Sequence, residues 1–313
     1  MTKPISNIIT EIEKVIVGKQ DIIIKILTAI LAKGHILLDD VPGVGKTTMA
    51  IAISRTLGLD FGRIQFTPDV LPSDITGFSL YNKETNTLEY KPGVAAGANL
   101  LLGDEINRTS SKTQSALLEA MEEGQVTVDG TSHPLKNPFI VIATQNNVGT
   151  AGTQLLPYAQ LDRFLVKLTI GYPSHKSEMD IIRDRQTTNP VGCITPAATA
   201  QDIIRMQSEV ASITVRDSII DYIARLAQES RTHTALELGI SPRGSLFINK
   251  MAKSRAYLQD RDYVIPEDVQ GVFTDVCAHR VLLSQTAKSQ KITPQSALED
   301  LIKKVKVPDG TAI

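Results

Sequence analysis

The chain has 313 residues, 42% of them hydrophobic and 21% charged, with a net charge of −1. That length accommodates two domains and a substantial core, and the near-neutral balance argues against a nucleic-acid or membrane surface built on bulk charge. Cys193 and Cys277 are isolated, which excludes a disulfide framework, and the five histidines lack metal-ligand spacing and are read as structural or surface.

Ile5, Ile8, Ile9, Ile12, Val15 and Ile16 recur at helical spacing, and Val17-Gly18-Lys19 breaks the pattern. A second amphipathic helix carries Ile22, Ile23, Ile26, Leu27, Ile30 and Leu31 and ends at Lys33-Gly34. No basic segment precedes an apolar core at the N-terminus, and the run Asp21–Leu31 is broken by Lys25 and too short to span a bilayer. A cytoplasmic location without membrane insertion is therefore expected.

The apolar run Ile36-Leu37-Leu38 leads through Asp40-Val41-Pro42-Gly43-Val44-Gly45-Lys46-Thr47-Thr48 into a helix reaching about Leu57. Strand, glycine-bearing loop and helix in that order suit a phosphate chain. Loop N–H groups point inward, the helix N-terminus adds its positive dipole end, and Lys46 adds a point charge. Thr47 offers a hydroxyl able to ligate Mg²⁺. Pro42, Gly43, Val44, Gly45, Lys46, Thr47 and Thr48 are the expected phosphate-loop contacts. The pattern G-x-x-x-x-G-K-[ST] is met at Gly45, Lys46 and Thr47 but opens on Asp40. Aspartate tolerates positive φ better than most residues, and its carboxylate is expected to point away from the phosphates.

Phe61 to Phe66 reads as a second strand. Residues 67–97 are punctuated by Pro68, Pro72, Gly77, Pro92, Gly93 and Gly97, with strand-like pieces at Phe78–Tyr81 and Leu88–Tyr90, and read as an inserted hairpin. Asn99 to Gly103 is a buried strand ending at Asp104-Glu105, the sheet end where open α/β folds place ligands. One carboxylate of this pair can hold the Mg²⁺ shell, and its neighbour can polarise a water for attack on a γ-phosphate. A helix is expected over Ser111–Glu123 and a hairpin over Val126–Leu135, on the turn Asp129-Gly130. The buried strand Phe139–Thr144 ends in Gln145-Asn146-Asn147, where an amide can orient the attacking water.

Arg163, in Leu161-Asp162-Arg163-Phe164, is expected at the sheet end where Asp104 and Asn146 lie, just before a fifth strand at Val166–Ile170. It is read either as an ion-pair member with Asp162 or Glu105, or as a group reaching a neighbouring subunit's phosphate. Apolar strands alternating with helices argue for a parallel sheet covered on both faces.

After Gly171-Tyr172-Pro173 helices dominate: about Lys176–Gln186, Thr199–Ser212, Arg216–Ser230, Pro242–Leu258, Pro266–Leu283 and Pro294–Val305. The expected division is an α/β nucleotide-binding domain over 1–173 and an all-α domain over 174–313. In Ser241-Pro242-Arg243-Gly244, serine caps a helix and proline fits its first turn, so Arg243 projects from the positive end. Such a local cost often marks a functional position.

The chain resembles MoxR-type AAA+ ATPases over essentially its whole length. The likeness rests on 40–48, Arg63 to Asp69, Leu71 to Gly77, Asn99 to Arg108, Lys112 to Val126, Ala143 to Asn146, Gln160 to Phe164 and Ser241 to Gly244. It implies a P-loop AAA+ core with a parallel five-stranded sheet, a helix-2 insert, a pre-sensor hairpin and a helical lid. It makes Lys46 and Thr47 the Walker A pair and Asp104 and Glu105 the Walker B pair. Asn146 becomes sensor 1, Arg163 the arginine finger and Arg243 sensor 2. ATP and Mg²⁺ are the implied cofactors. The implied activity is Mg-dependent ATP hydrolysis driving chaperone-like remodelling of a protein client. The implied partners are copies of itself in a ring hexamer and a von Willebrand A-domain protein.

Four departures stand out: Asp40, Tyr158 in place of the usual Glu, Ala95-Ala96-Gly97, and Asn147-Val148-Gly149. A metal-chelatase-like ATPase subunit or a nucleic-acid motor of a related clade is the alternative. The insert sets Lys83 and Lys91 against Asp69, Asp74, Glu84 and Glu89, an acidic balance that disfavours tracking along a nucleic-acid backbone.

Overall fold

The computed structural model describes residues 3–146, 156–184 and 190–308. Helices α1 (Lys3–Glu13) and α2 (Gln20–Leu31) precede strand β1 (Ile36–Asp39), helix α3 (Lys46–Thr56) and strand β2 (Phe61–Gln65). The expected insertion holds the hairpin β3 (Gly77–Asn82) and β4 (Thr87–Pro92), preceded by a short helix α4 (Pro72–Thr76) that was not expected. Pro72 fits the first turn of α4, and the Asp74 carboxylate accepts from the Leu71 N–H at 2.8 Å. Strand β5 (Leu100–Asp104) and helix α5 (Ser111–Glu123) follow, then the hairpin β6 (Gln125–Val128) and β7 (Thr131–Pro134). Its turn residues Asp129 and Gly130 both have positive φ, 48° and 77°, which matches the right-handed strand twist. Strand β8 (Ile140–Gln145), helix α6 (Tyr158–Leu161) and strand β9 (Val166–Leu168) complete this part.

The five strands run parallel in the order β2-β5-β8-β1-β9. Period-two alternation divides their side chains between two apolar layers. Ile36, Leu38, Leu100, Leu102, Ile140 and Ile142 face α1, α2 and α3. Leu37, Leu101, Val141 and Ala143 face Leu117, Leu118 and Met121 of α5. Register places Gln65 beside Asp104 and Asp39 beside Gln145, so the polar ends of four strands share one edge of the sheet.

Past Pro173 come α7 (His175–Asp184), α8 (Ala200–Ser212), α9 (Asp217–Thr232), β10 (Leu236–Leu238), α10 (Pro242–Leu258), α11 (Pro266–Cys277), β11 (Leu282–Leu283), α12 (Gln285–Ser289) and α13 (Pro294–Lys304). Gln186, the expected end of the first of these helices, lies outside the described residues, as does the departure Asn147-Val148-Gly149. This half is not purely helical. The helix expected over Pro266–Leu283 ends at Cys277, and Leu282 and Leu283 pair antiparallel with Leu236 and Leu238. The break follows from Arg280, whose buried guanidinium turns back onto the loop before β9. The helical half docks on α2. Ser254 Oγ donates to Thr28 O at 2.7 Å, Gln207 Nε2 donates to Ile30 O at 2.8 Å, and Lys25 pairs with Asp275 at 2.8 Å. No helix among the described residues is long and apolar enough to cross a membrane.

His35 opens β1 and is locked neutral. Its Nδ1 accepts from the Val141 N–H at 3.0 Å, so its Nε2 carries the proton facing Met121 O at 2.9 Å. Burial, helped by the charge of Lys250, pushes its pKa down to about 4. In the unfolded chain an imidazole titrates near 6.5, so between those values the unfolded state holds more protons and stability rises with pH. The His35 contribution is complete above about 6.5 and fades as pH falls towards 4. His279 is also pushed well down, by burial and then by Arg280, and acts in the same direction. Urea unfolding at pH 7.5 and pH 5 should therefore show a stability difference that shrinks by about 2 kcal/mol in His35→Gln. An unchanged difference would contradict a neutral buried His35.

Candidate active site

The loop between β1 and α3 turns on Gly43 and Gly45, with φ of 85° and 92°. A Cβ at either would meet nothing within 4 Å, so backbone conformation and not crowding asks for glycine there. The space above the loop stays open, and α3 presents its N-terminus to it. Lys46 is buried to 7% exposure. Its ammonium donates to Asp40 O at 2.6 Å, to Gln145 O at 3.3 Å and to the Asn146 side-chain oxygen. Burial lowers its pKa, while Asp40, Asp104, Asp39 and Glu105 act the other way.

Thr47 Oγ1 lies 3.3 Å from Asp104 Oδ2, and Thr144 Oγ1 donates to Asp104 Oδ1 at 2.7 Å. A hydroxyl beside a carboxylate is a hard-oxygen pair, the donor set that suits Mg²⁺. Glu105, just past β5, has φ 58° and ψ 50°, a left-handed conformation that costs free energy in a non-glycine residue. Its N–H is held by Thr144 Oγ1 at 2.9 Å. Asn146 Nδ2 donates to Glu105 Oε1 at 2.8 Å, so one amide touches both Lys46 and Glu105.

Three further side chains enter this cluster that the sequence reading did not assign to it. Arg63 of β2 pairs with Asp104 Oδ2 at 2.8 Å. Arg108 pairs with Glu105 Oε2 at 2.7 Å, and Gln65 Nε2 donates to the same oxygen at 3.3 Å. Arg63 and Gln65 alternate on an edge strand beside β5, and that alternation is the signal that could have found them. Beside the loop lies a cavity of about 330 Å³ lined by Val17, Gly43, Thr48, Ile170, Tyr172 and Ile181 among others. Val17 and Lys19, which also line it, were legible only as part of a helix break.

Arg163 and Arg243 lie elsewhere. Because β9 runs parallel to β1 and pairs Val166 with Ile36, Arg163 precedes the strand at its N-terminal end. The expectation that it shares the sheet end of Asp104 and Asn146 is overturned. At ~3.3 Å of rise per residue, the length of a strand separates the two edges. Neither Asp162 nor Glu105 is its partner. Arg163 Nε lies 3.2 Å from Glu122 Oε2, and Arg243 Nη2 lies 2.5 Å from Oε1 of the same carboxylate. Both arginines line a cavity of about 280 Å³ with Lys33, His35 and Lys250.

Asp162 pairs instead with Arg280, at 2.9 Å from its Nε. Arg280, 4% exposed, also donates to the carbonyls of Asp162, Phe164 and Leu165. It thus grips the peptides on either side of Arg163. Ser241 caps α10, accepting from the Gly244 N–H at 3.1 Å, and its hydroxyl donates to Asp162 at 3.2 Å. The loop of Arg163 and the helix of Arg243 are tied through one carboxylate. Among the described residues no cluster of three or more His, Cys, Asp or Glu could hold a metal ion.

The profile of the ATPase family associated with various cellular activities (AAA) matches residues 35–166, and that of the AAA lid domain matches 228–301. The chain is 50% identical to the uncharacterized protein YeaC of Bacillus subtilis (strain 168), over 96% of this chain and 93% of that protein. It is 38% identical to Chaperone MoxR1 of Mycobacterium tuberculosis, over 97% of this chain and 82% of that one. A solved structure described as a candidate ATPase of Cytophaga hutchinsonii superposes with a TM-score of 0.89 at 37% identity, covering 98% of this chain and 95% of its own.

Proposed function

Since the chain belongs to the MoxR-type AAA+ ATPases, we propose that it binds ATP in the loop over Lys46 and hydrolyses it. The observation that carries this reading is the meeting of Lys46, Asn146 and Glu105 through one side-chain amide, at the strand ends where the open loop lies. Lys46 and the loop N–H groups hold the phosphates, and Pro42 to Thr48 shape the cradle. The apolar cavity lined by Val17, Ile170 and Tyr172 takes the base. Thr47 and Asp104 would hold Mg²⁺, which would supply neutralisation of the phosphate charge. Glu105 accepts a proton from the attacking water, and Asn146 fixes the carboxylate in place. Residues 1–173 act as the nucleotide-binding unit and 174–313 as its lid.

Arg163 and Arg243 serve a different subunit. They face away from the chain's own loop, on a cavity where four cationic side chains surround the single carboxylate of Glu122. That balance favours a phosphate chain brought by a neighbouring copy, so the working form is a ring, taken as a hexamer by family likeness. Arg108 already pairs with Glu105 of its own chain, which makes it a poor second choice for that role. Remodelling of a protein client, with a von Willebrand A-domain protein as partner, is carried by the family resemblance and by the acidic insert. The protein is taken to work in the cytoplasm.

Lys46→Ala should lower affinity for a fluorescent ATP analogue by at least about tenfold, since a charge-assisted contact to phosphate is lost. Turnover per subunit should rise with protein concentration as rings form. Unchanged affinity in Lys46→Ala would sink the reading.

A further inference from the structure

Asp40 stands where the phosphate-loop pattern has glycine, and its carboxylate is engaged by two backbone N–H groups, one within the loop and one beyond β9. Oδ2 accepts the Gly171 N–H at 2.6 Å, while Oδ1 accepts the Val41 N–H at 2.8 Å. Gly171 follows β9 and has φ 68°. A Cβ there would meet only Lys19 Nζ, at 3.8 Å, so its backbone conformation is what asks for glycine. The same segment is gripped from a second direction. Lys19 Nζ donates to Ile170 O at 2.6 Å and to Tyr172 O at 2.8 Å. The Ile170–Gly171 peptide is thus held at both its N–H and its C=O, and the Tyr172 carbonyl beside it, by an acid from the phosphate loop and a base from the α1–α2 turn. Asp40's own carbonyl meanwhile accepts from Lys46 at 2.6 Å. Ile170, Tyr172 and Pro173 wall the cavity that also borders Pro42, Gly43 and Gly45.

We propose that Asp40 is a positioning residue that straps the phosphate loop to the 170–172 segment. The strap fixes the spacing between the phosphate and base ends of the nucleotide cavity. It also makes the lead into the helical half follow the loop. This rests on the nucleotide reading above. Two physical effects of Asp40 have opposite signs. Its negative charge near phosphates opposes nucleotide binding, so removing charge alone strengthens affinity. Its hydrogen bond to Gly171 preorganises the cavity, so removing the acceptor weakens affinity.

Asp40→Gly and Asp40→Asn in the full chain separate them. Glycine restores the pattern's own residue and deletes the acceptor, whereas asparagine deletes the charge and keeps an oxygen facing Gly171. For Asp40→Gly, affinity for a fluorescent ATP analogue should fall about tenfold, KM should rise with kcat within about twofold, and the Gly171 amide should exchange its hydrogen about tenfold faster. Asp40→Asn should stay within about threefold of the parent in affinity and keep Gly171 protected. Affinity in Asp40→Gly equal to or above the parent's would overturn the proposal, whatever the exchange rate. So would an asparagine variant as weak as the glycine one. A parent that binds no nucleotide would sink the nucleotide reading and the positioning role with it. Gly171 exchange in Asp40→Gly would still report separately whether the strap itself exists.

Discussion

Arg163→Ala is expected to bind ATP as the parent does and to lose turnover by roughly 10³–10⁵, the range an arginine supplied by a partner contributes in GTPases. A transferring γ-phosphoryl spreads negative charge over its oxygens, and a guanidinium brought from outside stabilises that charge. Arg163 is placed for such delivery. It precedes β9, at the sheet edge opposite Lys46 and Glu105, and its side chain is 34% exposed beside Glu122. It cannot serve the loop of its own chain. Mixing gives the sharper test. Arg163→Ala keeps an intact loop and lacks the arginine, whereas Lys46→Ala keeps the arginine and has a damaged loop. Some interfaces in mixed rings pair the intact loop with the intact arginine, so activity should reappear when the two inactive proteins are combined. Mixed rings that demonstrably form and stay inactive would rule out the trans role, as would normal turnover by Arg163→Ala alone.

Glu105→Gln should stop turnover and spare binding. General-base catalysis is worth about 10²–10⁴ in rate, and an amide cannot take the proton from water. The substitution keeps the shape of the side chain and one acceptor oxygen, so the contact with Asn146 at 2.8 Å can be retained, while the amide nitrogen takes the place of the oxygen that accepts from Gln65. The ion pair with Arg108 at 2.7 Å is weakened, but that pair is exposed and contributes little to stability. ATP affinity should therefore stay within about threefold of the parent, in contrast to Lys46→Ala. Equal losses of affinity in both variants would remove the distinction between a residue that holds phosphates and one that acts on water.

Much of the architecture was legible because local rules agreed with the global fold. The run Ile36-Leu37-Leu38, the glycines at 43 and 45 and the helix after Lys46 form one continuous signal. Ser111–Glu123 was bounded correctly because Ser110 caps it and Gly124 ends it at φ 63°. The partner of the Asp40 carboxylate, the Gly171 N–H across 131 residues of sequence, was not legible. The helix over Pro266–Leu283 failed for a physical reason. Its apolar spacing continues past Cys277, but Arg280 is drawn into the core by Asp162 and by carbonyls 115 to 118 residues away in sequence. No local window contains those partners.

Within the chain itself, then, residue types and their spacing determined which side chains meet the loop. Lys46, Thr47, Asp104, Glu105 and Asn146 each lie at or within one residue of an element's end, and a parallel sheet gathers such ends at one edge by geometry alone. What only the tertiary structure decided was the direction of everything that crosses between elements. A parallel sheet already puts the residue before β9 at the edge opposite Asp104, as its pairing with β1 bears out, and what the tertiary structure added for Arg163 was its partner Glu122. Packing of the helical half on α2 then brought Arg243 to the same Glu122 carboxylate. Ion pairs over such sequence distances depend on burial of apolar faces, which fixes the backbones that bring the charged side chains within reach of each other.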